Sequence, residues 1–218
     1  MTRSVPKVLV PTAFTDAMVT SSTLAEPSAS ETAWVSGGTY AVGDRRIRAT
    51  THREYECSAA HTGITTPPEN DPTRWFEIGP TDKWAMFDNT CSTQTATTTT
   101  LSVVMKPGFF NAIALYKLTG STIAVTVKDA PGGTTIFSYS GSLVGPFVDE
   151  WDAFWGSHRE RSKLVLSGIT PYPEAELTIT VSASTGVAVG IGMLCVGDLR
   201  PLLMGDWGGI QAGARSEE

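Results

Sequence analysis

The chain has 218 residues, 41% of them apolar and only 17% charged, with a net charge of −6. A charged share below the usual ~25%, with acid in excess, excludes a binder of nucleic-acid backbone, which needs clustered Lys and Arg against the phosphates. Thirty Thr, 19 Ser, 21 Gly and 13 Pro exclude coiled coil, helical bundle and collagen, and favour many short strands joined by turns.

Residues 1–33 carry scattered Thr, Ser, Pro and Ala without sustained periodicity. Pro6 and Pro11 bracket too short an apolar stretch for a secretory signal. Val8 to Val10 predicts a short strand, Thr12 to Met18 one turn of helix, and Thr20 to Ala33 an extended segment. The whole stretch reads as an extended N-terminal arm, ordered by a neighbour if at all.

Residues 34–80 change character. Trp34, Tyr40, Tyr55, Trp75 and Phe76 alternate with turn signals at Gly37-Gly38, Gly43-Asp44, Pro67-Pro68 and Asp71-Pro72. About 45 residues make a thin core, and large rings supply the most buried area per residue. This predicts a minimal β domain with strands near Arg46–Ala49 and Glu54–Ala59.

Residues 81–200 repeat short strand patterns at Leu101–Met105, Asn111–Leu118, Ile123–Lys128, Thr135–Tyr139, Lys163–Leu166, Leu177–Ser182 and Val187–Val196. Ile123-Ala-Val-Thr-Val127 and Leu177-Thr-Ile-Thr-Val181 alternate with the period of a half-buried strand. Turns at Asp129-Ala-Pro-Gly-Gly133, Ser140-Gly141 and Ser184-Thr-Gly186 separate them. The predicted fold is mainly β: a small β domain followed by an antiparallel, jelly-roll-like sandwich. Residues 201–218 lose periodicity and read as a C-terminal extension. No window approaches the ~18 apolar residues of a membrane span.

Two resemblances enter here. Trp34, Tyr40-Ala-Val-Gly43-Asp44, Tyr55-Glu-Cys-Ser-Ala-Ala-His61, Pro67 and Trp75 stand in an order that resembles the carbohydrate-binding modules of families 5 and 12. That resemblance implies a tight Gly-Asp turn, a core built from the outer Trp and Tyr, and exposed rings that stack on sugar. The chain departs from it at Ser58-Ala59-Ala60-His61, where those modules place adjacent Trp residues. Phe14-Thr-Asp-Ala-Met18, His52-Arg-Glu-Tyr-Glu-Cys57, Asp71-Pro-Thr-Arg-Trp75 and Gly79-Pro-Thr-Asp-Lys-Trp-Ala-Met-Phe-Asp88 resemble tail-associated virion proteins of double-stranded DNA bacteriophages. The second resemblance implies a structural component of a phage tail, tail tip or baseplate, made in the bacterial host cytoplasm. Its expected partners are other tail proteins, in multiple copies in a symmetric assembly.

No constellation predicts catalysis. Asp149, Glu150 and Asp152 lie beside Trp151 and Trp155, but Arg159, Arg161 and Lys163 are near enough in sequence to pair with them as a solvated surface. There is no Gly-x-Ser-x-Gly elbow, phosphate loop or His-Glu-x-x-His pair. Cys57-x-x-x-His61 offers two metal ligands, while Cys91, Cys195, His52 and His158 form no second pair, so neither metal nor cofactor is expected. Three widely spaced cysteines imply no disulfide framework.

The expectations divide into assembly and ligand binding. Val8, Leu9, Leu202, Leu203 and Trp207 are the predicted assembly contacts, with the lone ring in Gly205-Asp-Trp-Gly-Gly209 suited to anchoring on a partner. The alternative is host-surface glycan binding that contributes to adsorption, with Tyr40, His61 and Trp75 as the stacking residues. Against that role, Trp34, Tyr40, Tyr55 and Trp75 also suit the module's core. Trp84, Phe87, Phe109 and Phe110 are expected to pack between module and sandwich.

Overall fold

The computed structural model describes residues 6–145, 151 and 161–201. Two strands come first, β1 (Lys7–Pro11) and β2 (Val19–Ser22). The small module follows with β3 (Thr39–Tyr40), β4 (Arg45–Arg48), β5 (Arg53–Cys57), β6 (His61–Thr62) and β7 (Trp75–Pro80). The rest are β8 (Thr95–Thr98), β9 (Thr100–Met105), β10 (Ala112–Tyr116), β11 (Thr122–Lys128) and β12 (Thr135–Ser142). The last four are β13 (Lys163–Ser167), β14 (Glu176–Ser182), β15 (Ala188–Ile191) and β16 (Met193–Pro201).

A four-stranded sheet in the order β1-β16-β10-β13 faces a five-stranded one in the order β12-β11-β14-β9-β2, with all ladders antiparallel. Period-two alternation explains the packing. Ile123, Val125 and Val127 point inward beside Leu177, Ile179 and Val181, and meet Ile113, Leu115, Leu194 and Val196 of the other sheet in one buried cluster. Each of these side chains contributes about 1.5–3 kcal/mol by leaving water. The protein is mainly β, and this part of it is an antiparallel sandwich.

Two corrections concern the N-terminal stretch and the strand predicted at Val187–Val196. The N-terminal stretch is not a free-standing arm: β1 pairs with β16, β2 pairs with β9, and Phe14, Val19 and Leu24 pack on the sandwich core. The local sequence signals strands there but cannot signal partners that lie 81 to 194 residues away. Within β1, Val8 is exposed and Leu9 half-buried. Leu202, Leu203 and Trp207 lie outside the described residues, as do Asp149 and Asp152. The predicted strand Val187–Val196 is two strands: β15 pairs with β8, and the chain then passes Gly192 into β16. A side chain at Gly192 would stand 2.6 Å from Lys117 Cβ, so the crossing needs glycine.

The run Gly79 to Asp88 welds module to sandwich. Glu26, its side chain 6% exposed, accepts hydrogen bonds from Thr81 Oγ1 (2.7 Å), Trp84 Nε1 (3.2 Å) and His52 Nδ1 (3.0 Å). The His52 ring stacks on Trp84 at 4.0 Å, and the His52 backbone lies in the left-handed region at φ 55°. Asp82 accepts from Ser28 (2.5 Å) and Ser30 (2.8 Å), and its own N–H donates to Glu31 (2.6 Å). Trp84, Met86 and Phe87 then enter the sandwich core. Of the four rings expected at this contact, Trp84 and Phe87 lie there and Phe110 is buried in the core, but Phe109 is 66% exposed. The turn at Pro107-Gly108, with Gly108 at φ 77°, precedes these two consecutive rings, which end up in opposite environments.

Candidate functional site

The module is a three-stranded sheet, β4-β5-β7, beside the short pair β3-β6. Its core is Tyr40, Tyr55, Cys57 and Trp75, with Trp34 packed against it. The loop before β3 wraps the Tyr40 hydroxyl, which accepts from the Val35 N–H (2.7 Å) and donates to the Val35 carbonyl (2.8 Å). Gly38 permits that wrap, since a Cβ there would sit 2.8 Å from Tyr40 Oη. The Gly43-Asp44 turn closes as the resemblance implies, with the Asp44 carboxylate accepting from the Ala41 N–H at 3.0 Å and Gly43 at φ 89°.

The three predicted stacking residues are brought together, but inward. Tyr40 and Trp75 meet edge-on at 5.0 Å and are 4% and 2% exposed. His61, half-buried, lies 5.4 Å from Tyr40 and 5.5 Å from Trp75. Sugar stacking needs an open ring face, which neither Tyr40 nor Trp75 presents, so their expected role as a platform is corrected to that of core. His61 Nδ1–H donates to the Ala59 carbonyl (2.8 Å), and the Cys57 thiol shares that acceptor (3.2 Å). Burial pushes the Cys57 thiol pKa up, which opposes the thiolate a metal would need. Among the described residues no group of three or more His, Cys, Asp or Glu side chains is placed to hold a metal.

The open ring is the next residue. Along β7, Trp75 points in and Phe76 points out, 47% exposed. Phe76 lines a cleft of about 360 Å³ together with Tyr55, Pro68, Glu69, Pro72, Trp75 and Glu77. The 3-10 turn Pro68–Asn70 and Asp71 shape its wall. Asp71 is buried and accepts from Thr73 Oγ1 (2.6 Å) and Arg74 Nη1 (2.9 Å), while its carbonyl accepts the Trp75 N–H (3.0 Å). The Thr73 hydrogen bond, then the Arg74 guanidinium, hold its carboxyl below the usual range against the cost of burial. Arg48 pins Glu69 at 3.0 Å while lying over the Trp34 ring at 5.0 Å, and Arg53 pairs with Glu77 at 3.3 Å. The Trp75 indole N–H has no hydrogen-bond partner among the described residues. The cleft therefore combines a flat apolar ring, two prolines and two oriented carboxylates.

With that geometry in place, comparison with solved structures finds carbohydrate-active proteins at low similarity. A GH29 fucosidase from Ruminococcus gnavus, solved with fucose, aligns at TM-score 0.40 and 14% identity over 69% of this chain and 26% of that one. The chain thus spans about a quarter of the fucosidase. A family 32 carbohydrate-binding module of NanJ from C. perfringens, solved with galactose, aligns at TM-score 0.35 and 13% identity over 51% of this chain and 81% of the module. A chitosan-binding module from a Paenibacillus sp. IK-5 chitosanase/glucanase aligns at TM-score 0.34 and 11% identity, with 51% and 81% covered. No protein-family model and no curated protein matches the chain.

Sequence reasoning missed Phe76 although the signal was present. Once Trp75 is assigned to the core of a strand, alternation puts its neighbour on the solvent face. Phe76 follows Trp75 directly, so assigning both rings to one aromatic cluster hid their opposite directions.

Proposed function

We propose that the chain is a non-enzymatic, carbohydrate-binding component of a bacteriophage tail that contacts glycan on the host surface. The observation that carries the binding part is the open Phe76 ring in a cleft of prolines and paired carboxylates on a module held firmly to the sandwich. A sugar's C–H face packs on the ring, and its hydroxyls donate to the free lone pairs of Glu69 and Glu77. Several copies on one particle turn weak single contacts into useful avidity. The tail setting is supported by the resemblance through Gly79 to Asp88, the segment that joins module to sandwich. The test is adsorption of the full chain to immobilised bacterial surface polysaccharide. Phe76→Ala is expected to lower retention about tenfold, the equivalent of about 1.4 kcal/mol. Unchanged retention of this variant would remove the module from glycan binding.

A second reading, assembly alone, is favoured by the edges of the four-stranded sheet. Val8 and Val10 on β1 and Val165 on β13 are exposed on strands that, among the described residues, have one unpaired side. Imaging of purified virions at side-chain resolution separates the two. A module buried among tail proteins supports assembly alone, and a peripheral module with Phe76 open supports glycan contact.

A further inference from the structure

The inward-facing row of β16 runs Leu194, Val196, Asp198, Arg200. The first two are fully buried. The last two emerge where the strand outruns the core, so a row that is apolar inside ends in an acid and a base at the mouth of the sandwich. Phe109, Phe110, Pro171, Asp198 and Arg200 line a cleft of about 370 Å³ there. Phe110, 2% exposed, closes it toward the core, while Phe109 stands 66% exposed at its rim.

The polar groups are fixed in advance. Arg200 Nε donates to Asp198 Oδ2 at 2.7 Å, and both side chains remain substantially open to solvent. Asn111 Nδ2 donates to the other Asp198 oxygen, and Asn111 Oδ1 accepts the Leu199 N–H at 2.6 Å. Asn111 is tied at its backbone as well, donating to the Gly197 carbonyl (3.1 Å) and accepting the Ile169 N–H (3.1 Å). Among the described residues the carboxylate thus keeps free lone pairs in a set orientation, and the guanidinium keeps four of its five N–H donors.

We propose that this mouth is a second carbohydrate subsite, selective for neutral sugars. An exposed ring beside adjacent donors and acceptors matches a pyranose, which offers an apolar C–H face and vicinal hydroxyls that both give and take hydrogen bonds. The charge balance sets the class. Arg200 is already neutralised by Asp198, so a carboxylated or phosphorylated sugar gains no net attraction and meets an acid, whereas a neutral hydroxyl pair bridges the two groups at no electrostatic cost. The subsite shares with the module's cleft the reading of the chain as a glycan binder, but it stands on different residues at a different place in the fold. Two subsites on one chain, joined through a fixed junction, would engage one polysaccharide at two points.

The test is titration of the isotope-labelled full chain with galactobiose, cellotetraose and trigalacturonate, read residue by residue through amide and side-chain resonances. A neutral oligosaccharide is expected to shift Phe109, Asn111 and Arg200 at millimolar concentration, with trigalacturonate about tenfold weaker there. Phe109→Ala is expected to abolish those shifts while leaving any at Phe76, and Phe76→Ala to do the reverse. Arg200→Gln is expected to weaken the neutral sugar at the mouth without altering the module's resonances. Shifts at Phe76 with none at the mouth would overturn the second subsite and leave the module reading standing. Equal or tighter binding of trigalacturonate at the mouth would overturn its selectivity, and neutral-sugar shifts there that survive Phe109→Ala would overturn the assigned ring.

Discussion

Among the described residues the sandwich gathers 24 buried apolar side chains, mostly aliphatic, into one cluster drawn from the two facing sheets, β15, the junction and neighbouring loops, whereas the module's own cluster holds four residues, three of them aromatic, beside the buried Ile47. The sandwich is stabilised by alternation repeated over long ladders. The module, at about 45 residues, is near the size at which burial alone barely exceeds the entropy of ordering the chain. It makes up the difference with large rings, half-buried ion pairs and the Glu26 junction. Its exposed pairs, such as Arg45 with Glu56, add little by themselves, and the structural load falls on Arg48–Glu69, Arg74–Asp71 and the junction. A thin core leaves rings near the surface, which is also what a sugar platform requires.

The sharpest way to break the comparison is to remove the largest side chain of the thin core. Trp75→Ala should cost about 4 kcal/mol. A loss of that size is expected to unfold the module while the sandwich stays folded. Hydrogen exchange would then show β4, β5 and β7 deprotected and β11 and β14 unchanged. Loss of protection in both bodies at once would mean that they form one cooperative unit.

The junction decides between those outcomes. Glu26→Ala leaves the Thr81 hydroxyl, the Trp84 indole N–H and the His52 ring without their shared acceptor inside a packed interface. The expected loss is about 3 kcal/mol, measured by urea unfolding and felt first at His52 and Thr81. A loss below about 0.5 kcal/mol would show that the stacked His52 and Trp84 rings, with the Asp82 contacts to Ser28, Ser30 and Glu31, hold the module in place without Glu26.

Acid probes the module a third way. Asp71 is held below its ordinary pKa of 3.8, so the unfolded chain binds its proton more readily than the folded one. Its contribution is present above pH 3.8 and is lost as pH falls through the lower folded value. Glu54 acts oppositely and in a higher window: burial raises its pKa above 4.5, so its contribution is full below 4.5 and is lost as pH rises through the folded value. Asp71→Asn should cost about 1–2 kcal/mol at neutral pH and flatten the stability curve only at its acid end. An unchanged acid limb would shift that role to another carboxylate.

Much of the sandwich was legible because its strands carry their own period. Ile123-Ala-Val-Thr-Val127 and Leu177-Thr-Ile-Thr-Val181 are β11 and β14, paired with each other as their inward faces require. What was not legible is non-local or very short. The pairing of β1 with β16 joins the two ends of the described chain, and no local pattern in Val8 to Val10 separates an edge strand from an arm. The two-residue strands β3 and β6 exist only through each other. At the module's site the constituent rings were legible, but their directions were not: Tyr40 and Trp75 were candidates for a platform and form the core, while Phe76 was passed over and stands open; at the sandwich, Phe109 was expected to pack against the module and is exposed instead.

That last contrast gives the mildest and most discriminating variant. Trp75 and Phe76 are adjacent aromatic residues on one strand, one 2% and the other 47% exposed. If exposure sets their roles, Phe76→Ala should change stability by no more than about 0.5 kcal/mol, against about 4 for its neighbour. The same variant should lose polysaccharide retention while keeping β7 paired with β5, because the strand's hydrogen bonds and its inward face are untouched. Thermal unfolding and retention measured on one preparation separate the alternatives. A large stability loss would make Phe76 part of the module's packing and its exposure incidental. Full stability with lost retention would leave ligand contact as the reason for an open ring beside a core so short of apolar side chains.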